Sequence, residues 1–350
     1  MFPQIDTPAV LVDLDVTEAN IDRFQAHCDA HGLAVRPHIK THKLPQLAKR
    51  QIKAGAIGIT CQKISEAEAM IADGGIDDVL LTYNVLGGAK LPRLRALAQR
   101  VTLTVVADSD TVVAGLSEAF VDAPTPLRVL VECDTGAARC GVATPEAALA
   151  LATRIAKAPG LVFAGLMTYP PAGREAEVQD WLSRAKDLIE DAGHPVKVVS
   201  NGGSPGMWQA EAVSVATEYR IGTYAYMDRS LVERGVCNWD DCALTVLATV
   251  ISVPASDRAV IDAGSKVLTS DLLGLDGHGH VLGRPDILIG GLSEEHGVLS
   301  APDIGLNVGD RLRIVPNHAC VVANMLDHVE LIRGKTHGER TQVAARGQVW

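Results

Sequence analysis

The sequence predicts a (β/α)8 barrel of the TIM type followed by a second, mostly β domain, and three observations lead there. Eight short apolar, β-branched runs recur between about residues 34 and 226, with amphipathic stretches between most of them. No Gly-rich dinucleotide fingerprint follows an early run, which disfavours the doubly wound open sheet that the same alternation allows. After about Asp228 helical periodicity gives way to strands joined by Gly, Pro and Asp turns.

In chain order, TPAVLVDLD (7–15) is strand-like and can pair with either domain. The barrel strands are AVRPHIK (34–40), AIGITCQ (56–62), DVLLTYN (78–84) and VTLTVVAD (101–108). LRVLVECD (127–134), LVFAGLMTY (161–169), VKVVSNGG (196–203) and EYRIGTYAY (218–226) complete them. Intervening segments such as KISEAEAMIADGG (63–75) and TPEAALALATRIAKAPG (144–160) carry acids early and a Gly near the end, as helices do. CALTVLATVISVP (242–254), RAVIDAGS (258–265), RLRIVPNHACVVANML (311–326) and HVELIRG (328–334) read as strands of the second domain. The expected division is a barrel over 13–228 and a β domain over 229–350 that also takes in 1–12.

With 350 residues, 47% of them apolar, the chain can bury a sizeable core. A formal charge of −10 without a Lys/Arg cluster argues against nucleic acid, though not against a pocket for one small anion. The seven cysteines are scattered and odd in number, which suits reduced thiols and a cytoplasmic setting. No basic start leads into an apolar stretch, and no apolar run reaches the ~20 residues that span a bilayer, so neither secretion nor membrane insertion is expected.

Active sites of such barrels form at the C-terminal strand ends. The residues there are polar: Lys40, Gln62, Asn84, Asp108, Asp134 with Arg139, Tyr169, Asn201 with Gly202 and Gly203, and Arg220. A lysine ending the first strand would face the pocket, where desolvation lowers its pKa and suits a Schiff-base nucleophile. A surface lysine that starts a helix is the competing reading. Ser200-Asn201-Gly202-Gly203-Ser204-Pro205-Gly206 and Arg220-Ile221-Gly222-Thr223 follow the seventh and eighth strands, where barrels bind phosphate. Bare backbone amides and a hydroxyl make an anion cradle with little positive charge. A phosphate site opposite a lysine is the layout of a pyridoxal phosphate pocket.

Arg36-Pro37-His38-Ile39-Lys40-Thr41-His42-Lys43 resembles the cofactor-lysine segment of the D-threonine aldolase and D-serine dehydratase family, which belongs to the alanine-racemase-like, fold type III pyridoxal phosphate enzymes. The resemblance continues through Cys61-Gln62-Lys63, Asp134-Thr135-Gly136, Arg139-Cys140-Gly141, Gly165-Leu166 and Asn201-Gly202-Gly203-Ser204. It ends in Asp262-Ala263-Gly264-Ser265-Lys266, Ser293-Glu294-Glu295-His296-Gly297 and Pro316-Asn317-His318-Ala319-Cys320. It implies a homodimer, Lys40 as the residue bonded to the cofactor, Arg139 near its phenolic oxygen, and Tyr169 in the pocket. It also gives the phosphate to Gly203, Ser204, Gly222 and Thr223, the pyridine nitrogen to Arg220, and a place against the cofactor to Asn201. A guanidinium keeps its proton, so the ring would be a weaker electron sink and a second electrophile would be needed.

That electrophile is expected to be a divalent metal, Zn²⁺ or Mn²⁺, on His318 and Cys320. On a strand, residues i and i+2 share a face, and imidazole with thiolate suits Zn²⁺. Taken alone, an unliganded pair is the commoner meaning of His-x-Cys; the resemblance implies the metal. His296 reads equally as a helper there or as a turn histidine, and His38 and His42 as cofactor neighbours or packing. His27, His31, His278, His280, His328 and His337 read as solvated.

The implied substrate is a small D-3-hydroxy-α-amino acid, and the leading expectation is retro-aldol cleavage to glycine and an aldehyde by Lys40, Tyr169 and Arg139. β-Elimination, as in D-serine or D-3-hydroxyaspartate dehydratases, is the alternative, because His-x-Cys resembles the dehydratase metal pair while the stretch 241–266 is more similar to aldolases. Pro170-Pro171-Ala172-Gly173 lacks the histidine that both groups carry after Tyr169. A non-catalytic cofactor carrier would not need the β domain, and no tyrosine after Tyr226 is present to act as a racemase's second base.

Overall fold

The computed structural model describes residues 1–350. The chain forms two compact units: a barrel unit of Phe24–Lys40, Pro45–Gly222 and Gln348–Trp350, and a β unit of Met1–Arg23, Thr41–Leu44 and Thr223–Gly347. The junction expected at 228/229 therefore lies inside the β unit, which begins its long segment at Thr223 and also gathers Thr41–Leu44 from within the barrel sequence.

Strand β1 (Ala9–Asp13) belongs to the β unit. The barrel strands are β2 (Ala34–Pro37), β3 (Ile59–Cys61), β4 (Asp78–Leu81), β5 (Thr102–Ala107), β6 (Leu127–Cys133), β7 (Leu161–Thr168), β8 (Val198–Asn201) and β9 (Glu218–Ile221). They form one eight-stranded parallel sheet in the order β2-β9-β8-β7-β6-β5-β4-β3, and a lone parallel bridge from His38 to Thr60 joins its two ends. The nearly closed (β/α)8 barrel read from the alternation is present, with every strand a little shorter than its apolar run.

The helix Pro145–Lys157 shows why the intervening segments are helical. Thr144 accepts a hydrogen bond from the Ala147 amide at 3.1 Å, a proline stands in the first turn, Glu146 is at the start, and Arg154 and Lys157 are at the end. Ala148, Leu151, Ala152 and Ile155, spaced by three and four, form its buried stripe. Burying Leu151 and Ile155 contributes about 1.5–3 kcal/mol each.

Inside the barrel, alternation along the strands builds layers. Near the N-terminal strand ends, Arg36 donates to Glu218 at 3.0 Å and to Asp78 at 2.5 Å. Leu80, Val106, Leu130, Ala164 and Met167 pack as an apolar cluster with Val198 against it. Polar side chains, described below, occupy the C-terminal ends.

In the β unit, β10 (Leu244–Ala255), β11 (Arg258–Ile261), β12 (His280–Val281), β13 (Leu288–Leu292), β14 (Gly297–Ser300), β15 (Arg311–Val315), β16 (His328–Arg333) and β17 (Thr336–Gln342) join β1 in a nine-stranded sheet. β1 pairs antiparallel with β10 and parallel with β16, so the opening strand belongs with the C-terminal strands. Phe2, Ile5, Ala9, Leu11, Leu247 and Ile332 form a buried cluster there.

One expected strand is corrected. The run 311–326 is extended only to Val315; Pro316, which has no N–H to continue a ladder, follows it, and Ala319–Val322 is a helical turn. No helix is long and apolar enough to cross a membrane.

Candidate active site

Lys40 lies in the 3₁₀ turn Ile39–Thr41 just beyond β2, and it is exposed. The residue sits three positions past the end of β2, although the expected strand ran to it. The buried His38 orients this turn: its Nδ1 lies 3.4 Å from the Lys40 amide and its Nε2 lies 3.2 Å from Gln62 Oε1. Burial, with the Lys40 ammonium nearby, holds the His38 pKa well below the usual imidazole value, so the ring is neutral. Gln62 is itself fixed, its side chain donating to the Thr82 carbonyl at 3.0 Å and its amide to Glu66 at 2.6 Å.

Arg220 is buried at the end of β9. Its Nε donates to Ser200 Oγ at 2.9 Å, and one terminal nitrogen donates to the Thr168 carbonyl. Ser200 in turn donates to Glu218 Oε1 at 2.6 Å, and the other oxygen of Glu218 holds Arg36. Burial lowers the Arg220 pKa to about 10, with Glu218 and Glu132 opposing, so the guanidinium stays charged at neutral pH.

Arg139 stacks over the Tyr169 ring, 4.6 Å from its centroid. Asp134 Oδ1 accepts from the amides of Gly136 at 2.9 Å and Ala138 at 3.0 Å, a turn that shapes the loop bearing Arg139. The buried Glu132 accepts from Asn84 at 2.9 Å; burial and the neighbouring Asp108 raise its pKa, against the pull of Arg139.

Gly202, at φ +135°, would bring a Cβ to 2.2 Å from the Arg220 carbonyl oxygen, so only glycine fits. A Cβ on Gly203 would stand 3.3 Å from Tyr169 Cε2, and the Gly203 carbonyl accepts from Tyr219 at 2.8 Å. Ser204, buried, then starts the 3₁₀ segment Ser204–Ala212. Gly222 is the last residue of this unit's barrel segment. Asn201 Oδ1 is buried without a donor from the chain.

The β unit carries the second group. His318 and Cys320 lie at the start of the turn Ala319–Val322, not on a strand, yet the turn keeps their side chains close enough to influence each other's protonation. His318 Nδ1 is 2.9 Å from Oδ2 of Asp228, which is wholly buried. The same oxygen accepts from the Ala319 amide at 3.0 Å, and Oδ1 accepts from Ser230 Oγ at 2.7 Å and the Leu231 amide at 3.2 Å. Cys320 Sγ is 3.1 Å from Thr41 Oγ1 and 3.4 Å from Thr223 Oγ1. Burial alone would raise the thiol; the bond and charge of His318 and the two hydroxyls bring its pKa below the ordinary value. Burial would lower His318, but Asp228 and Cys320 raise it to about 10. The Thr223 hydroxyl, expected to serve a phosphate, is thus engaged with Cys320. His296 is exposed beside Ser293, at 3.4 Å, which is the turn role.

Comparison with known proteins decides the relationship. The family described as "Alanine racemase, N-terminal domain" matches residues 12–230, and a serine dehydratase domain matches 243–332. The D-threonine aldolase of Arthrobacter sp is 36% identical, over 98% of this chain and 93% of that protein. The chain belongs to the D-threonine aldolase and D-serine dehydratase family. Within that family, the 3-hydroxy-D-aspartate aldolase of Paracoccus denitrificans (strain Pd 1222) is 35% identical, over 99% of this chain and 93% of that protein. The crystal structure of D-threonine aldolase from Filomicrobium marinum superposes with a TM-score of 0.92 at 34% identity, covering 100% of this chain and 97% of that one. D-threo-3-hydroxyaspartate dehydratase from Delftia sp. HT23 follows with 0.88 at 30% identity, covering 97% of each chain.

Family membership implies pyridoxal phosphate, and the barrel residues fit it. Arg220 is a fixed buried cation, Gly203 sets no side chain against the Tyr169 ring, and Asn201 Oδ1 is a buried acceptor left for a donor outside the chain. The imidazole and low-pKa thiol in the β unit are a donor set that suits a borderline metal.

Sequence reading gave no role to Asp228, Thr41, Glu132 or Glu218, and it placed Ser200 only in the phosphate-binding turn, not against Arg220 and Glu218. Asp228 before Arg229-Ser230-Leu231 carries the signal of a helix cap, which it is; nothing local announces that its other oxygen takes His318.

Proposed function

We propose that this chain is a pyridoxal phosphate- and divalent-metal-dependent lyase that cleaves D-3-hydroxy-α-amino acids to glycine and an aldehyde. One observation carries the reading: near-complete alignment with the D-threonine and 3-hydroxy-D-aspartate aldolases at 36% and 35% identity. A homodimer in the cytoplasm accompanies the proposal, the latter supported by seven cysteines that are all free thiols.

When bound, pyridoxal phosphate supplies a sink for the electron pair released as Cα–Cβ breaks, and the metal supplies Lewis acidity at the β-hydroxyl. In the proposed roles, Lys40 would carry the cofactor on its amine, Asn201 would contact the cofactor, and Gly203, Ser204 and Gly222 would hold the phosphate. Arg220, fixed by Ser200 and the Thr168 carbonyl, donates a hydrogen bond to the ring nitrogen and keeps its own proton. Arg139, stacked on Tyr169, donates to the phenolic oxygen, and Tyr169 walls the pocket. In the metal site His318 Nδ1 keeps its proton against Asp228, which leaves Nε2 for the ion beside the Cys320 thiolate.

β-Elimination is the second reading, favoured by Cys320: His-x-Cys resembles the metal pair of the dehydratases. Incubation with pyridoxal phosphate, Mn²⁺ or Zn²⁺ and D-threonine separates the two, with D-serine and D-threo-3-hydroxyaspartate in parallel. Glycine and acetaldehyde from D-threonine support the aldolase; a keto acid with ammonia replaces it by the dehydratase.

A further inference from the structure

We infer that His27, His31 and Glu211, on the barrel unit, form a site for one divalent transition-metal ion of the zinc class. His27 is in the last turn of the helix Leu14–Ala30, and His31 comes four residues later, one turn on and on the same side. Glu211 arrives from the 3₁₀ segment Ser204–Ala212. A ligand atom from each of the three lies within 4.8 Å of the other two. Donors at ~2.0–2.2 Å from a tetrahedral ion stand roughly 3.4 Å apart, so side-chain rotations of about an ångström close the site.

The surroundings orient both rings as metal sites require. His31 Nδ1 lies 2.8 Å from the His27 carbonyl; donating there fixes the tautomer and leaves Nε2 with its lone pair. The His27 ring is held between Trp208, edge-on at 5.3 Å, and Phe24, stacked at 6.1 Å, with Nε2 directed at Glu211 Oε2 at 3.2 Å. Two imidazoles and one carboxylate suit Zn²⁺, Ni²⁺ or Cu²⁺ over Mg²⁺ or Ca²⁺, and the exposure of His31 and Glu211 leaves a position for water. The competing arrangement is a simple ion pair of His27 with Glu211, with His31 capping the helix end through the His27 carbonyl; it does not require the His31 ring to stand beside that of His27, and the two centroids are 4.7 Å apart. A bound ion would tie the helix end to the segment that begins at Ser204.

The test is calorimetric titration of the tag-free, full-length protein with Zn²⁺, compared with H27A/H31A, E211Q and H318A, each first checked for native circular dichroism. The unchanged protein is expected to bind one equivalent more than H27A/H31A. E211Q, an exposed change that spares the fold, is expected to weaken that equivalent by at least about tenfold. H318A retains it, so its presence there is independent of any metal at His318 and Cys320. Stoichiometry and affinity unchanged in H27A/H31A, or equal binding of Mg²⁺ at this equivalent, would overturn the assignment.

Discussion

Replacing Asp228 with Asn separates a metal-orienting carboxylate from a mere helix cap. Asp228 is fully buried and accepts four hydrogen bonds, from His318 Nδ1, the Ala319 amide, Ser230 Oγ and the Leu231 amide. The amide has one oxygen and one NH₂ to meet those four donors. With the oxygen toward His318 and Ala319, the NH₂ faces Ser230, whose hydroxyl can turn to accept, and the Leu231 N–H, which cannot. One buried N–H is left unmade, at a cost of about 1–3 kcal/mol of stability. The His318 bond survives without its charge and falls to roughly half strength. Loss of such an outer partner weakens metal binding by about 10–100-fold, and the retained neutral bond puts Asp228→Asn near the lower figure. Chelator-competition titration measures the affinity, denaturant unfolding measures the stability, and ¹⁵N shifts of His318 report the tautomer. Ser230→Ala, which removes a bond to the other oxygen, is the control and should leave metal affinity within about threefold. Metal affinity unchanged in Asp228→Asn, with stability lost as calculated, would reduce Asp228 to a cap and refute the orienting role.

Lys40→Ala is expected to abolish both the cofactor's absorbance band and turnover; a retained band would move the covalent link to another lysine. Gly202→Ala should destabilise the fold by more than about 2 kcal/mol, since its Cβ would meet the Arg220 carbonyl oxygen at 2.2 Å at a left-handed φ. Gly203→Ala, whose neighbour is the movable Tyr169 ring, should cost under about 1 kcal/mol but weaken pyridoxal phosphate binding; thermal melts and cofactor titration read the two apart. His38 has a folded pKa below its unfolded value of ~6.5. Its contribution is therefore complete above about pH 6.5 and is lost as pH falls below that, by up to about 1.4 kcal/mol per unit. His38→Gln should flatten the urea-unfolding stability between pH 6.5 and 5 relative to the unchanged protein; parallel profiles would mean that His38 protonates in the folded state.

Much of the proposed site was legible because barrels write it at strand ends. Asn201 and Arg220 lie near the C-terminal ends of β8 and β9, and Lys40, Arg139 and Tyr169 come just after β2, β6 and β7, the end of a barrel where such sites form. Glu132 and Glu218 were not legible, and Ser200 was read only as part of the phosphate-binding turn. Each sits inside or at the start of a β-branched run, and its importance lies in a partner on another strand, as with Ser200 between Arg220 and Glu218. The strand argument that named His318 and Cys320 as a metal pair was wrong: Pro316 follows the end of β15, and the two residues stand at the start of a helical turn.

The sequence by itself determined the alternation of strands and helices, the Gly-rich turns and the kinship, because these depend on periodicity, on backbone conformation and on ordered motifs within single segments. Tertiary structure alone decided where β1 pairs, that Lys40 is exposed, that Asp228 holds His318 across 90 residues, and that His27, His31 and Glu211 meet. Those depend on which distant segments come within hydrogen-bond reach. A side chain acts over a few ångströms, and the chain does not carry that distance in its order.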